Sequence, residues 1–197
     1  MQRPAGRVRR DAKDCGAEPE SSGEGARSTT ALRAGDHAPD IRLSDASGQP
    51  TSLIATLKYR PAVVSFLSGR RGTISGQLSA IGQHLDDIET AGGVILAVTP
   101  IVEPAAKYHY GLKILHDAGS GVASAYGLCP PPINSSSAHV LAASDPADHG
   151  PIPATFVVDQ RSRIILSLTD APFDNNLVPT NVVSVLNALR RRKGRTS

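Results

Sequence analysis

Residues 68–75 read SGRRGTIS, which brings three hydroxyls (Ser68, Thr73, Ser75), two guanidinium groups (Arg70, Arg71) and two glycines into eight positions. An apolar run, PAVVSFL, precedes this stretch, and Leu78, Ile81 and Leu85 follow at helical spacing. Strand, glycine-rich loop and helix start form a recurrent anion cradle, because the first backbone N–H groups of a helix have no partner within it. The candidate anion-binding residues are therefore Arg70, Arg71, Thr73 and Ser75, with phosphate, sulfate or a carboxylate as ligand. A Walker loop is excluded, since no GK[ST] stands at the required spacing. The competing reading is a loop with two solvated arginines and no selective ligand.

Other chemistry is sparse. Cys15 and Cys129 are the only cysteines, and their separation excludes both a disulfide framework and a CxxC pair. Cys129 reads either as a packed thiol or as a lone redox thiol. His139, Asp145, Asp148 and His149 are metal-capable types, but their loose spacing fits surface polarity better than a ligand set. No metal and no cofactor is expected. GTISG lacks the G-x-S-x-G arrangement of a nucleophile elbow. With aromatics at 4% and no Trp, base stacking on nucleic acid is disfavoured, and the net charge of +3 is mild. No apolar run is long enough to span a membrane. The Arg-rich start lacks the apolar core of an export signal, so a cytoplasmic protein is expected.

These groups must be held by a folded body. At 197 residues the chain fits one domain with extra segments. Residues 1–33 are rich in Arg, Gly, Ser, Glu and Ala, which predicts a disordered segment; a misplaced translation start would look the same. The domain is expected over 34–190, with a basic tail at 191–197 that reads as a frayed helix end. DIRLSDASGQPTSL predicts two short strands around a turn. PAVVSFLS, GVILAVTP and LKILHD predict three buried strands, and residues 73–91 one amphipathic helix. Short helices are expected over 103–110 and in SGVASAYGL, then a long irregular insert over 129–153. ATFVVD and RIILSL predict two strands across a polar turn, and LVPTNVVSVLNALRRR a closing helix with Pro179 near its first turn. The fold class is α/β, a central mixed sheet flanked by helices.

The phrases AGDHAPDIRLSDASGQPTSL, PAVVSFLSG…QLSAI, GGVILAVTP, LHDAGSGVASAYGL and PATFVVDQRSRIILS, in that order, resemble the peroxiredoxins. The closer likeness is to the alkyl hydroperoxide reductase and thiol-specific antioxidant branch, over about residues 34–190. The resemblance implies a thioredoxin-like fold whose site lies where the first buried strand meets its helix. It also implies a peroxidatic Cys in that helix's first turn, a Thr or Ser and a Pro in the loop, and an Arg on a neighbouring strand. Carried across, those positions fall on Ser68, Gly72, Ser75 and Pro153, none of which is the usual residue. The branch with two loop cysteines would place them at Gly72 and Ser75.

The loop is one residue shorter than usual before Gln77 and Leu78. No alignment of it supplies sulfur, because no residue between Gly16 and Leu128 is Cys. A serine hydroxyl stays protonated at neutral pH, and oxygen has no equivalent of sulfur's oxidation ladder. In thioredoxin-like folds Pro153 would also be the site of a cis peptide bond, with an ordinary trans proline as the alternative. Two functional classes follow. One is a non-catalytic module that binds a protein or a small anion, with a homodimer suggested by the resemblance. The other is a thiol-dependent peroxide reductase using Cys129 or an unrecognised nucleophile. A decayed copy without activity is a third reading. The absent loop cysteine favours the first.

Overall fold

In the computed structural model, residues 30–45, 47–67, 73–101, 112–129, 151–169 and 177–193 are described. β1 (Arg42–Ser44) and β2 (Pro50–Ser52) pair as an antiparallel hairpin. Its turn is organised by Asp45, whose carboxylate accepts the Ser47 and Gln49 N–H groups, both at 2.9 Å. This is the local trapping that makes Asp a turn former. A bridge from Asp45 to Leu115 lays the hairpin along one edge of the main sheet. α1 (Leu53–Leu57) follows, capped twice. The Ser52 hydroxyl accepts from Ala55 N–H at 3.2 Å, and Asp40 accepts from Ile54 N–H at 3.1 Å.

The main sheet is built from β3 (Ala62–Phe66), β4 (Val94–Thr99), β5 (Lys113–His116), β6 (Ala154–Val158) and β7 (Ile164–Thr169), in the order β5-β4-β3-β6-β7. The β3–β4 and β4–β5 pairs are parallel; β6 runs antiparallel to β3 and β7 to β6. All five residues of both β3 and β6 are buried, as central strands covered on both faces must be. Alternation divides the core. Ala62, Val64 and Phe66 join Leu96, Val98 and Phe156 on one face, with Tyr126, Leu128 and Cys129. Val63 and Leu67 join Ile95, Ala97 and Val157 on the other, beneath helices. Those helices are α2 (Thr73–Gln83), α3 (Leu85–Thr90) and α5 (Leu177–Lys193); α4 (Gly121–Ala125) packs on the first face through Ala123.

Three rings close that first face. Phe66 and Tyr126 have centroids 4.9 Å apart, Tyr126 and Phe156 5.2 Å, and Phe66 and Phe156 6.0 Å. The Tyr126 hydroxyl donates to the Pro39 carbonyl at 2.9 Å, which gives the buried phenol its partner. Burial, with a smaller contribution from the Asp40 charge, raises the phenol's pKa well above its ordinary value.

The expected mixed sheet, its strands and the terminal helix are all present, with four differences. The helix expected over 73–91 is broken at His84, whose φ of −108° and ψ of 7° leave the helical region. Beyond the break Leu85 and Ile88 are buried, and Asp86 and Asp87 fall in the first turn of α3, where negative charge is favourable. The folded body reaches back to Thr30 rather than starting at 34. Leu32 N–H donates to Tyr126 O at 3.1 Å, and Ala31 and Leu32 pack on the core. α5 ends at Lys193, one residue beyond Arg192, where the closing helix was expected to stop. Finally, no peptide bond is cis among the described residues, so Pro153 is in the trans form. Ile152 N–H is already held by Leu128 O at 2.8 Å, and Ala154 enters the ladder opposite Phe66. An extended trans linkage satisfies both ends without the roughly 0.5–1 kcal/mol cost of the cis form. The helix expected over 103–110 and most of the 129–153 insert lie outside the described residues.

Candidate functional site

β3 delivers the chain to the site. Its last residues are buried, and Leu67 N–H donates to Val98 O at 2.9 Å, which holds the strand against β4 to its end. Ser68, Arg70, Arg71 and Gly72 lie outside the described residues. α2 then starts at Thr73. Ile74, Leu78 and Ile81 face the sheet with essentially no exposure, which fixes the helix over the end of β3. Ser75 lies in the first turn of α2 and is exposed. Pro153 is half-buried directly before Ala154, the Cα partner of Phe66. The register therefore places Pro153 beside the exit of β3. Of the residues singled out from sequence, Pro153, Thr73 and Ser75 come to the same end of the sheet.

Beneath α2 the sheet carries polar groups that sequence reading missed. Ser65 on β3 and Thr155 on β6 are Cα partners, and their hydroxyls lie 3.3 Å apart with almost no exposure. Thr99 at the end of β4 is buried and donates to Ile101 O at 3.0 Å. Gln77 of α2 is 3% exposed. Alternation puts Ser65, Thr99 and Thr155 on the α2 side of the sheet, with Val63, Ala97 and Val157. The signal was present in VVSFL, VILAVT and ATFVV: each places a hydroxyl at an inward position of an otherwise apolar run.

Cys129 is elsewhere. It is 7% exposed, contacts Ser120 O through Sγ at 3.8 Å, and belongs to the core cluster on the face opposite α2. His139, Asp145, Asp148 and His149 lie outside the described residues. Among the described residues no cluster of His, Cys, Asp or Glu can hold a metal ion.

The sequence over residues 34–167 matches the model of the AhpC/TSA family. The chain belongs to the AhpC/TSA family. No curated protein matches it. Among solved structures, a peroxidoxin BcpB from Mycobacterium tuberculosis is similar at 17% identity and a TM-score of 0.63, covering 80% of this chain and 98% of the other. Peroxiredoxin Q from Xanthomonas campestris is similar at 17% identity and 0.60, covering 79% and 97%. A putative thiol:disulfide interchange protein DsbE from Chlorobium tepidum gives 16% and 0.56, covering 79% and 99%. At these identities the likeness is one of fold. As an AhpC/TSA member the chain has the thioredoxin-like sheet expected of it. No cysteine lies between Gly16 and Leu128, so the β3–α2 junction contains no sulfur. No helix among the described residues is long and apolar enough to cross a membrane.

Proposed function

We propose that this AhpC/TSA protein is a non-catalytic thioredoxin-fold module that binds a small anion or a protein partner at the β3–α2 end of its sheet. One observation carries the reading: the chain's only thiol between residues 16 and 197 is Cys129, buried in the cluster on the face away from α2. Peroxide reduction in this family starts with a thiolate at a helix N-terminus. Ser75 offers a hydroxyl at that helix's first turn and Pro153 replaces a cation, so peroxide would meet neither nucleophile nor electrostatic clamp. Backbone N–H groups and the nearby arginines in sequence remain suited to an anion.

The test is peroxide consumption by the purified protein with dithiothreitol or a thioredoxin system as reductant. No turnover above background is expected. Turnover that disappears in Cys129→Ser would overturn the proposal and establish a thiol peroxidase of unfamiliar layout.

A further inference from the structure

We propose that residues 30–34 form a hinged strap, latched over Gly127, whose release opens the Tyr126–Cys129 corner while the sheet stays folded. From Gly35 onward the chain is fastened to the β6–β7 hairpin. Gly35 N–H donates to Ile164 O at 2.7 Å, Ile164 N–H to Asp36 O at 2.9 Å, and Ala38 N–H to Ser162 O at 2.8 Å. The Arg163 guanidinium adds a bond to Gly35 O at 2.9 Å. Before Gly35 the attachment to the rest of the fold is thinner. Among the described residues its hydrogen bonds to the rest of the fold are Leu32 N–H to Tyr126 O at 3.1 Å and the Ser167 hydroxyl to Leu32 O at 2.7 Å.

The hinge falls between these two regimes. Gly35 has φ +100° with open space where a Cβ would stand, so its backbone is both unusual and uncrowded. Residues 30–34 and the facing Ile165, Leu166, Ser167 and Thr169 together line an open cleft of about 360 Å³, bridged by the Ser167–Leu32 hydrogen bond. The register shift in the β6–β7 ladder leaves Ile165 as an extra residue under it, the kind of bulge that bends a strand. The seat at the other end is Gly127, φ +71°, where a Cβ would collide with Thr30 O and stand 2.9 Å from Ala31 Cα. Only glycine lets the strap lie there.

Ala31 and Leu32 pack against the cluster that contains Tyr126, Leu128 and Cys129. Leu128 O in turn receives Ile152 N–H, one residue from Pro153 at the candidate site. Strap, corner and site segment are thus joined by successive backbone bonds. Two hydrogen bonds and a small apolar contact make a local opening of far lower free energy than unfolding the sheet.

The experiment uses the full chain carrying Cys15→Ser, so that Cys129 alone reports. Its alkylation by iodoacetamide is followed across urea concentrations below the unfolding transition. Ser167→Ala should accelerate labelling about fivefold, as expected for one lost hydrogen bond, with a urea dependence much shallower than that of global unfolding. Gly127→Ala should accelerate it further. Val182→Ala, in α5 on the opposite face, should weaken the fold yet leave low-urea labelling unchanged. An unchanged rate in Ser167→Ala, equal acceleration in Val182→Ala, or a full unfolding urea dependence would overturn the strap.

Discussion

Ser65 and Thr155 face each other across β3 and β6, their hydroxyls 3.3 Å apart in a part of the sheet with almost no exposure. Around them Val63, Ala97 and Val157 are apolar. Such a pair is neutral while both members are present and costly once one is left alone, since a buried unpartnered hydroxyl has lost its water without compensation.

The pair therefore predicts non-additivity. Thr155→Val, which keeps the side-chain shape, should cost about 1–3 kcal/mol by stranding Ser65. Ser65→Ala with Thr155→Val should cost less than the two single changes added together. Urea unfolding of the four forms gives the cycle directly. Strict additivity would mean the hydroxyls do not act as a pair.

Asp40 should contribute to the acid limb of stability. Burial alone would raise its pKa, but hydrogen bonds from Arg42, Ile54 N–H and Ser52, with the Arg42 charge, hold it below the ordinary carboxylate value. A carboxylate lowered in the folded state stabilises above its unfolded pKa, near 3.8, and that contribution is lost as pH falls through the folded value. Asp40→Ala should cost about 1 kcal/mol at neutral pH, the usual worth of a helix cap. It should also flatten the decline in thermal midpoint below about pH 4 relative to wild type. Parallel acid limbs in the two proteins would remove Asp40 from this role.

Much of the fold was legible in the sequence because burial on both faces leaves continuous apolar runs. PAVVSFL, GVILAVT and ATFVVD could be little else. The break at His84 was not legible, since the helical spacing of Ile81, Leu85 and Ile88 continues across it. Ala31 and Leu32 were hidden in a polar, glycine-rich window whose average gave no sign that they pack. Pro153 showed its position but not its peptide geometry, which the ladder beginning at Ala154 decides. Ser65 and Thr155 were passed over because their neighbours in each run are so strongly apolar. Their pairing depends on a register that joins residues far apart in sequence.

The anion reading of the β3–α2 loop is open to titration. Sulfate added at fixed ionic strength should stabilise the wild type, with an affinity of about millimolar for a few charge-assisted contacts on an open surface. The double variant Arg70→Ala/Arg71→Ala should be stabilised much less. Equal shifts in thermal midpoint for both proteins would assign the effect to general salting-out.

The proposal that the β3–α2 junction keeps the family's framework without its reactive groups can be tested by Ser75→Cys. The substitution places a thiol in the exposed first turn of α2. A helix N-terminus should bring its pKa below the roughly 8.5 of an ordinary cysteine. The measurement is the iodoacetamide alkylation rate at neutral pH in a Cys15→Ser/Cys129→Ser background, compared with that of Cys129 in otherwise wild-type protein. Faster alkylation is expected at position 75, with peroxide turnover still poor because Gly72 and Pro153 cannot position the substrate. A thiol at 75 as unreactive as Cys129 would contradict the placement of the site, and full peroxidase turnover would contradict the claim that the other replacements matter.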